Sequence, residues 1–166
     1  MEPTKISHDG NNDTALIQLV TFKIAEEEFG VDILRVQEII RMMPITKVPK
    51  APSFVEGVIN LRGKVIPIID MRRRFGMEAN VHNEQTRITV MDLQGQVVGF
   101  VVDAVREVLR IKESTVEAPP QVVAGVGSEY LKGVGKLDDR LLILLDLDKL
   151  LSETEVGALG AVGEAA

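Results

Sequence analysis

Phe54-Val-Glu-Gly-Val-Ile-Asn-Leu-Arg-Gly-Lys-Val-Ile-Pro-Ile-Ile-Asp-Met-Arg-Arg-Arg-Phe75 is the stretch on which the fold turns. Two runs rich in β-branched residues, Gly57 to Leu61 and Val65 to Ile69, flank a turn at Arg62-Gly63-Lys64. Such side chains suit a pleated, packed surface, and a glycine turn between two such runs predicts a β-hairpin. Pro67 cannot donate to a ladder, which predicts an edge strand or a bulge.

Working outward, the hairpin has an altered second copy. Tyr130-Leu-Lys-Gly-Val aligns with Phe54-Val-Glu-Gly-Val at an offset of 130 − 54 = 76. The same register matches Leu61 with Leu137, the run Val65 to Ile69 with Leu141 to Leu145, and Asp70 with Asp146. Upstream, Gly30 to Arg41 aligns with Gly99 to Arg110 at an offset of 99 − 30 = 69. Val36 then meets Val105, Glu38 meets Glu107, Ile39 meets Val108, and Arg41 meets Arg110. A proline break follows each copy, at Pro49 and Pro52 and at Pro119-Pro120. Glycine, glutamate, arginine, proline break and hairpin in one order predict an internal duplication.

The duplication predicts an all-β chain of two similar lobes, each of about five short strands. The lobes are placed at residues 15–82 and 83–152, joined through the polar stretch 76–86, with an exchange of strands between them left open. Each lobe alone is near the size at which a core becomes marginal, so the two should pack together and leave a groove at the seam. Closing each sheet into a small barrel would hide its strand edges. The copies differ at the hairpin turn, Arg62-Gly63-Lys64 against Asp138-Asp139-Arg140.

Elsewhere, polar residues 1–14 predict a disordered arm. Leu16 to Ile24 alternates like a strand, Glu26-Glu27-Glu28 reads as an exposed turn, and Phe29 to Arg41 fits strand or short helical turn. Arg87 to Leu93 and Val97 to Val102 read as strands around Gln94-Gly95-Gln96, and 116–128 as a long loop. Ser152-Glu-Thr-Glu155 has the form of a capping box, predicting a short helix start. Gly157, Gly160 and Gly163 weaken that helix and predict a fraying tail over 153–166.

Composition narrows the function classes. The 166 residues are 45% hydrophobic and 27% charged, the profile of a globular protein. Cysteine is absent, which excludes thiol nucleophiles and cysteine metal sites and fits a reducing cytoplasm. No basic-then-apolar N-terminal stretch predicts secretion, and no apolar run reaches the 18 or so residues of a membrane helix. A net charge of −6 disfavours nucleic acid and anionic lipid. With aromatics at 4%, stacking platforms for single strands lack material.

Catalytic constellations are mostly missing. The histidines, His8 and His82, fall in the arm and the connector and read as solvated. With no cysteine and two distant histidines, no zinc or iron ligand set can be assembled, and no cofactor is predicted. Gly133-Val-Gly135-Lys136 is a poor phosphate loop, since Tyr130 stands where a glycine is needed and Leu137 where Ser or Thr is needed. Gly125-Val-Gly127 lacks a third glycine, and Ser128 is in no nucleophile elbow. Asp70 and Asp146 each follow an apolar strand and read better as caps of the segment after it than as an acid/base dyad. Arg72-Arg73-Arg74 reads as a solvated face that could alternatively hold phosphate or an acidic partner.

The residues now assembled strongly resemble the CheW family of bacterial chemotaxis coupling proteins. Phe29-Gly-Val-Asp-Ile33, Val36-Gln-Glu-Ile39, Val48-Pro49 and Pro52-Ser-Phe54 carry the resemblance. So do Gly57-Val-Ile-Asn-Leu-Arg-Gly63, Val65-Ile-Pro67, Ile69-Asp-Met-Arg72, Phe75 and Val98-Gly-Phe-Val-Val-Asp103. It covers roughly residues 15–152, and its most specific part is Gly-Val-Ile-Asn-Leu-Arg-Gly with the spaced proline and aspartate.

The resemblance implies two interlocking five-stranded barrels of SH3/OB-like kind with short helical turns. It also implies a non-catalytic cytoplasmic adaptor that links the cytoplasmic tips of transmembrane chemoreceptors to the histidine kinase CheA, recruited to membrane receptor arrays. Receptor contacts are implied at Ile33, Val36, Val102, Val105 and Val108, with Glu38, Gly57 and Arg62 beside them. Glu38 and Arg62 could pair and shape the groove. Contacts to the kinase's regulatory domain are implied at Ile39, Met42 and Val65 in one lobe and at Glu117, Gln121 and Val122 in the other. The kinase itself would need an ATP-binding domain, and the CheV type a receiver domain; 166 residues filled by two lobes leave room for neither. The alternative reading is a β-barrel module that binds nucleic acid or another ligand at the groove between the lobes.

Overall fold

The structure is a computed structural model that describes residues 15–78, 81–123 and 126–165. In chain order come β1 (Leu16–Ile24), β2 (Glu27–Asp32), β3 (Val36–Arg41), β4 (Gly57–Leu61), β5 (Lys64–Asp70) and a one-turn helix α1 (Met71–Arg74). Then follow β6 (Arg87–Leu93), β7 (Gln96–Val102), β8 (Ala104–Lys112), β9 (Val116–Glu117), β10 (Val122–Val123) and β11 (Val126–Gly127). The chain closes with β12 (Leu131–Lys136), β13 (Leu141–Leu145), α2 (Leu147–Leu150) and α3 (Glu153–Ala165).

Two curled sheets dominate. One runs β3-β6-β7-β5-β4, the other β8-β1-β2-β13-β12-β9, and β10 pairs with β11 apart from both. A boundary at 82/83 therefore does not separate the sheets: β1 and β2 belong with the late strands, and β6 and β7 with the early ones. The crossing points are Ile33–Arg35, a short 3-10 turn between β2 and β3, and Asp103 between β7 and β8. The stretch 29–41, open between strand and helical turn in the sequence, is both in succession.

The exchange is itself duplicated. β13 runs parallel to β2 with Leu144 opposite Gly30, and β5 runs parallel to β7 with Ile68 opposite Gly99. The offsets 68 + 76 = 144 and 30 + 69 = 99 turn one contact into the other. These glycines leave room for an aliphatic side chain arriving from the other half. A Cβ on Gly99 would lie 2.6 Å from Ile68 Cδ1 and 2.8 Å from Ile88 Cγ2; on Gly30, 3.3 Å from Leu144 Cδ2.

Barrel closure repeats too. Thr46 exchanges backbone hydrogen bonds with Val58 at 2.9 and 2.8 Å, and Glu117 pairs opposite Val134. Beside each lies a glycine: a Cβ on Gly57, at φ +154°, would fall on the Thr46 carbonyl oxygen, and one on Gly133 would lie 2.8 Å from that of Glu117. Pro67 is consequently not on an edge strand, because β5 lies between β4 and β7. Val58, its cross-strand neighbour, spends its backbone groups on Thr46, and the ladder to β7 begins only at Ile68, so no partner misses the absent N–H.

Each sheet encloses its own apolar core, around Ile66, Ile68, Ile88 and Val90 in one and Leu19, Ile111, Leu142 and Leu144 in the other. A third and largest core lies between the sheets and includes Val20, Phe22, Phe29, Met91, Phe100 and Ile143. Phe29 stacks between Phe22 and Phe75 at centroid distances of 6.4 and 5.5 Å. Glu28 is not part of an exposed turn; it is buried in β2 and accepts from Arg140 Nε at 2.6 Å.

The capping box forms: Ser152 Oγ accepts from Glu155 N at 3.1 Å and Glu155 Oε1 from Ser152 N at 2.9 Å. Beyond it α3 continues to Ala165 rather than fraying, since Leu159 and Val162 are buried and outweigh the low helix propensity of its glycines. The arm over residues 1–14 lies outside the described residues.

Candidate functional site

The seam between the sheets is bordered by β3 and β8, the strands that the 69-residue offset superposes. Val36 pairs opposite Met91 and Ile39 opposite Thr89; Val105 pairs opposite Phe22 and Val108 opposite Val20. Cross-strand partners share a face of the sheet. All four side chains therefore turn toward the side of the shared core. Val36 and Val105 are half-buried against it with Ile33, while Ile39 and Val108 stand 40% and 52% exposed. The result is a pseudo-symmetric apolar strip.

Two of the residues placed at the groove by resemblance do not line it. Val102 is buried in the shared core and can only support the strip from beneath. Gly57 is buried at the barrel closure, where its role is to admit the Thr46 backbone. Glu38 and Arg62 do form an ion pair. Glu38 pairs opposite Val90, turned away from Ile39, so the bridge links β3 to the β4–β5 turn, across the two ends of one sheet.

The second group divides differently. Ile39 joins the apolar strip rather than Met42, which is half-buried against the core inside its own barrel. Val65 is 38% exposed near the start of β5. Across the molecule, Glu117 and Gln121 are exposed, and Glu117 pairs with Lys136 at 3.3 Å. Val122 has its backbone in β10, and its side chain lies outside the description.

The polar residues that looked like chemistry are structural. Asp70 Oδ1 accepts from Arg72 N at 2.9 Å and Asp146 Oδ1 from Asp148 N at 3.1 Å, so each caps a one-turn helix. Burial pushes the Asp70 carboxyl up, partly offset by that N–H. Each arginine of the 72–74 run has a carboxylate: Arg72 binds Asp103, Arg73 binds Glu56, and Arg74 binds Glu155 with two bonds of 2.8 and 3.0 Å. The Arg74 guanidinium also lies 5.8 and 5.6 Å from the ring centres of Phe54 and Tyr130, the aromatics that the repeat superposes. Among the described residues no group of His, Asp and Glu is arranged to hold a metal.

Sequence reading missed two bridges that tie the halves. Asp103, between β7 and β8, takes three bonds from Arg72 at 2.7 to 3.1 Å and one from Ala25 N, in the β1–β2 turn, at 2.8 Å. Arg35, between β2 and β3, donates to the Asp92 carbonyl at 2.9 and 3.1 Å and to Asp148 at 3.0 Å. Shifting Arg72 by 76 gives Asp148, while shifting Asp103 by 69 gives Leu34, the neighbour of Arg35, so the bridges lie at matching crossings one residue out of register, with charges reversed. The repeat offsets were the signal that could have found them.

Chains of known kind share this architecture. Residues 18–155 match the family model described as CheW-like domain. The chain belongs to the CheW family. It is 38% identical over 147 residues to the chemotaxis protein CheW of Klebsiella aerogenes, covering 89% of each chain. With that of Treponema pallidum it shares 36% over 143 residues, 84% of each. The crystal structure of the scaffolding protein TtCheW from Thermoanaerobacter tengcongensis is similar at a TM-score of 0.77 and 39% identity, over 85% of this chain and 91% of that one. Membership accounts for the paired barrels and the exchange of strands between them. No helix among the described residues is long and apolar enough to cross a membrane.

Proposed function

We propose that this protein is a non-catalytic chemotaxis scaffold that couples transmembrane chemoreceptors to the histidine kinase CheA. The observation that carries the reading is the partly exposed apolar strip of Val36, Ile39, Val105 and Val108 on the seam, where the described residues assemble no acid/base or nucleophilic constellation. Its relatives are named as chemotaxis proteins and its solved neighbour as a scaffolding protein, which supports the role. A strip of this shape suits the helical hairpin tip of a receptor, with aliphatic anchors supplying affinity.

The kinase's regulatory domain contacts Val65 with Met42 on one barrel and Glu117, Gln121 and Val122 on the other. Two separate surfaces allow receptors and kinases to alternate in an array, where later contacts become effectively intramolecular. The protein works at the cytoplasmic face of the membrane, held there by the receptors. Signal passes as a shift in the population of kinase states.

Calorimetric titration with the regulatory domain of CheA and with a receptor cytoplasmic fragment, both from the same source, tests the reading. Val36→Asp and Val108→Asp should weaken receptor binding at least about tenfold and leave kinase binding intact. Val65→Asp should do the reverse. A folded protein that binds neither partner would sink the proposal.

A further inference from the structure

Lys23, Arg87 and Arg106 line a cleft of about 300 Å³ at one end of the seam, with Gln85, Ala104 and Val105. Both sheets contribute, since Lys23 and Arg106 come from β1 and β8 and Arg87 from β6. Among the described residues none of the three cations is in an ion pair. Arg87 donates to the carbonyls of Glu84 and Thr86 at 2.8 and 2.9 Å, which orients the guanidinium without cancelling its charge. Arg41 stands directly across from Arg87, a like-charge pairing that costs stability. Two neighbouring carboxylates are committed: Asp103 feels Lys23 but is bound by Arg72, and Glu107 is bound by Arg140. In a chain of net charge −6, this is a concentration of positive charge without an ion-pair partner among the described residues.

The other end of the seam is different. A shift of 69 residues carries Lys23 to Asp92, Arg87 to Gln18, Arg106 to Gln37 and Ala104 to Arg35. Of the cations there, Arg35 is taken up by Asp148 at 3.0 Å and by the Asp92 carbonyl, and Arg110, the counterpart of Arg41, lies across from the neutral Gln18. The apolar strip, by contrast, is alike at both ends, with Val36 and Ile39 matched by Val105 and Val108. A strip with internal two-fold symmetry offers an elongated partner two opposite directions of nearly equal fit. Unequal positive charge at the two ends removes that degeneracy.

We propose that Lys23, Arg87 and Arg106 bind carboxylates at one end of the helical partner in the groove, and so fix the direction in which it lies. This inference rests on the reading of the groove as the receptor site and adds to it the chemistry and polarity of the docked segment. The partner's apolar face meets the strip, and an acidic turn of the same element meets the cleft.

The test titrates the full-length protein with the receptor cytoplasmic fragment at low and at physiological salt, with circular dichroism to check folding. Lys23→Glu with Arg106→Glu should weaken binding at least about tenfold at low salt and flatten its salt dependence, because long-range attraction becomes repulsion. Gln37→Glu, at the opposite end, should change affinity by less than about twofold. If the double reversal disturbs folding, Lys23→Gln with Arg106→Gln should still lower affinity in the same direction. Equal affinity and equal salt slope for wild type and the charge variants would overturn the proposal and leave the groove reading standing. Binding that survives both Val36→Asp and Val108→Asp would overturn the groove reading, and this inference with it.

Discussion

The two bridges between the halves occupy matching crossings, one residue out of register, and differ in depth. At Arg72–Asp103 the side chains are 17% and 25% exposed, Asp103 is also held by a backbone N–H, and the adjoining cavity is about 20 Å³. At Arg35–Asp148 they are 30% and 61% exposed, and beside them opens a cavity of about 450 Å³ lined by Leu19, Val31, Leu144 and Leu147 among others. One difference in filling explains the contrast. The connector residues Val81, His82 and Asn83 line the first site, whereas the described chain supplies nothing comparable to the second. Duplication therefore repeats the backbone plan but not the energetics: the same bridge is a shielded anchor on one side and a solvated tether on the other.

The barrel closures give the sharpest break between the halves. Gly57→Ala forces a side chain onto a backbone carbonyl at a φ that L-residues rarely adopt, and should cost about 3 kcal/mol. Gly133→Ala meets the Glu117 carbonyl at 2.8 Å without a positive φ, and should cost about half as much. Urea unfolding of the two variants measures the gap; equal losses would mean that the closures are energetically alike.

The bridges come next. Asp103→Asn leaves Arg72 partly buried without its counter-charge and should cost about 2 kcal/mol, less than a fully buried pair because water still reaches the site. Asp148→Asn should cost under about 0.5 kcal/mol. Thermal melts at neutral pH decide whether depth or mere presence governs the contribution of a bridge.

Acid titration gives the smallest and most specific effect. Burial alone would raise the Asp103 carboxyl, but the bonds from Arg72 and Ala25 N outweigh it and hold it below the usual carboxylate range. A depressed folded pKa means stability that is fully present above the unfolded value, about 4, and lost as pH falls through the folded one. Asp70 has the opposite sign: raised by burial, it favours folding at low pH and loses that contribution as pH rises through its folded value. Asp103→Asn should therefore shallow the acid-side fall in stability, and Asp70→Asn should steepen it. Urea midpoints between about pH 3 and 6 would show the two slopes moving apart.

The sequence made the hairpin at residues 57–69, the duplication and the capping box legible because each rests on local periodicity or on residues with singular backbone behaviour, such as Gly57 and Ser152. The apolar strip was half legible. The repeat superposes Val36 with Val105 and Ile39 with Val108, and the resemblance implies groove contacts at Val36, Val105 and Val108 but not at Ile39; that Ile39 shares their face follows from a one-residue irregularity between Val36 and Glu38, which no sequence period reports. The resemblance implies a contact at Val102; its burial became visible only with the opposing sheet in place.

By itself, then, the sequence determined that the chain is all-β, duplicated, and equipped with two copies of a glycine-marked strand and a hairpin. Only tertiary structure decided which half each strand serves. β2 and β7 look the same whether they pair within their own copy or with the other, since the ladder is made of backbone groups common to every residue. The choice rests on side chains meeting across the copies, Ile68 over Gly99 and Leu144 over Gly30, on the shared core between the sheets, and on the long-range bonds of Asp103 and Arg35.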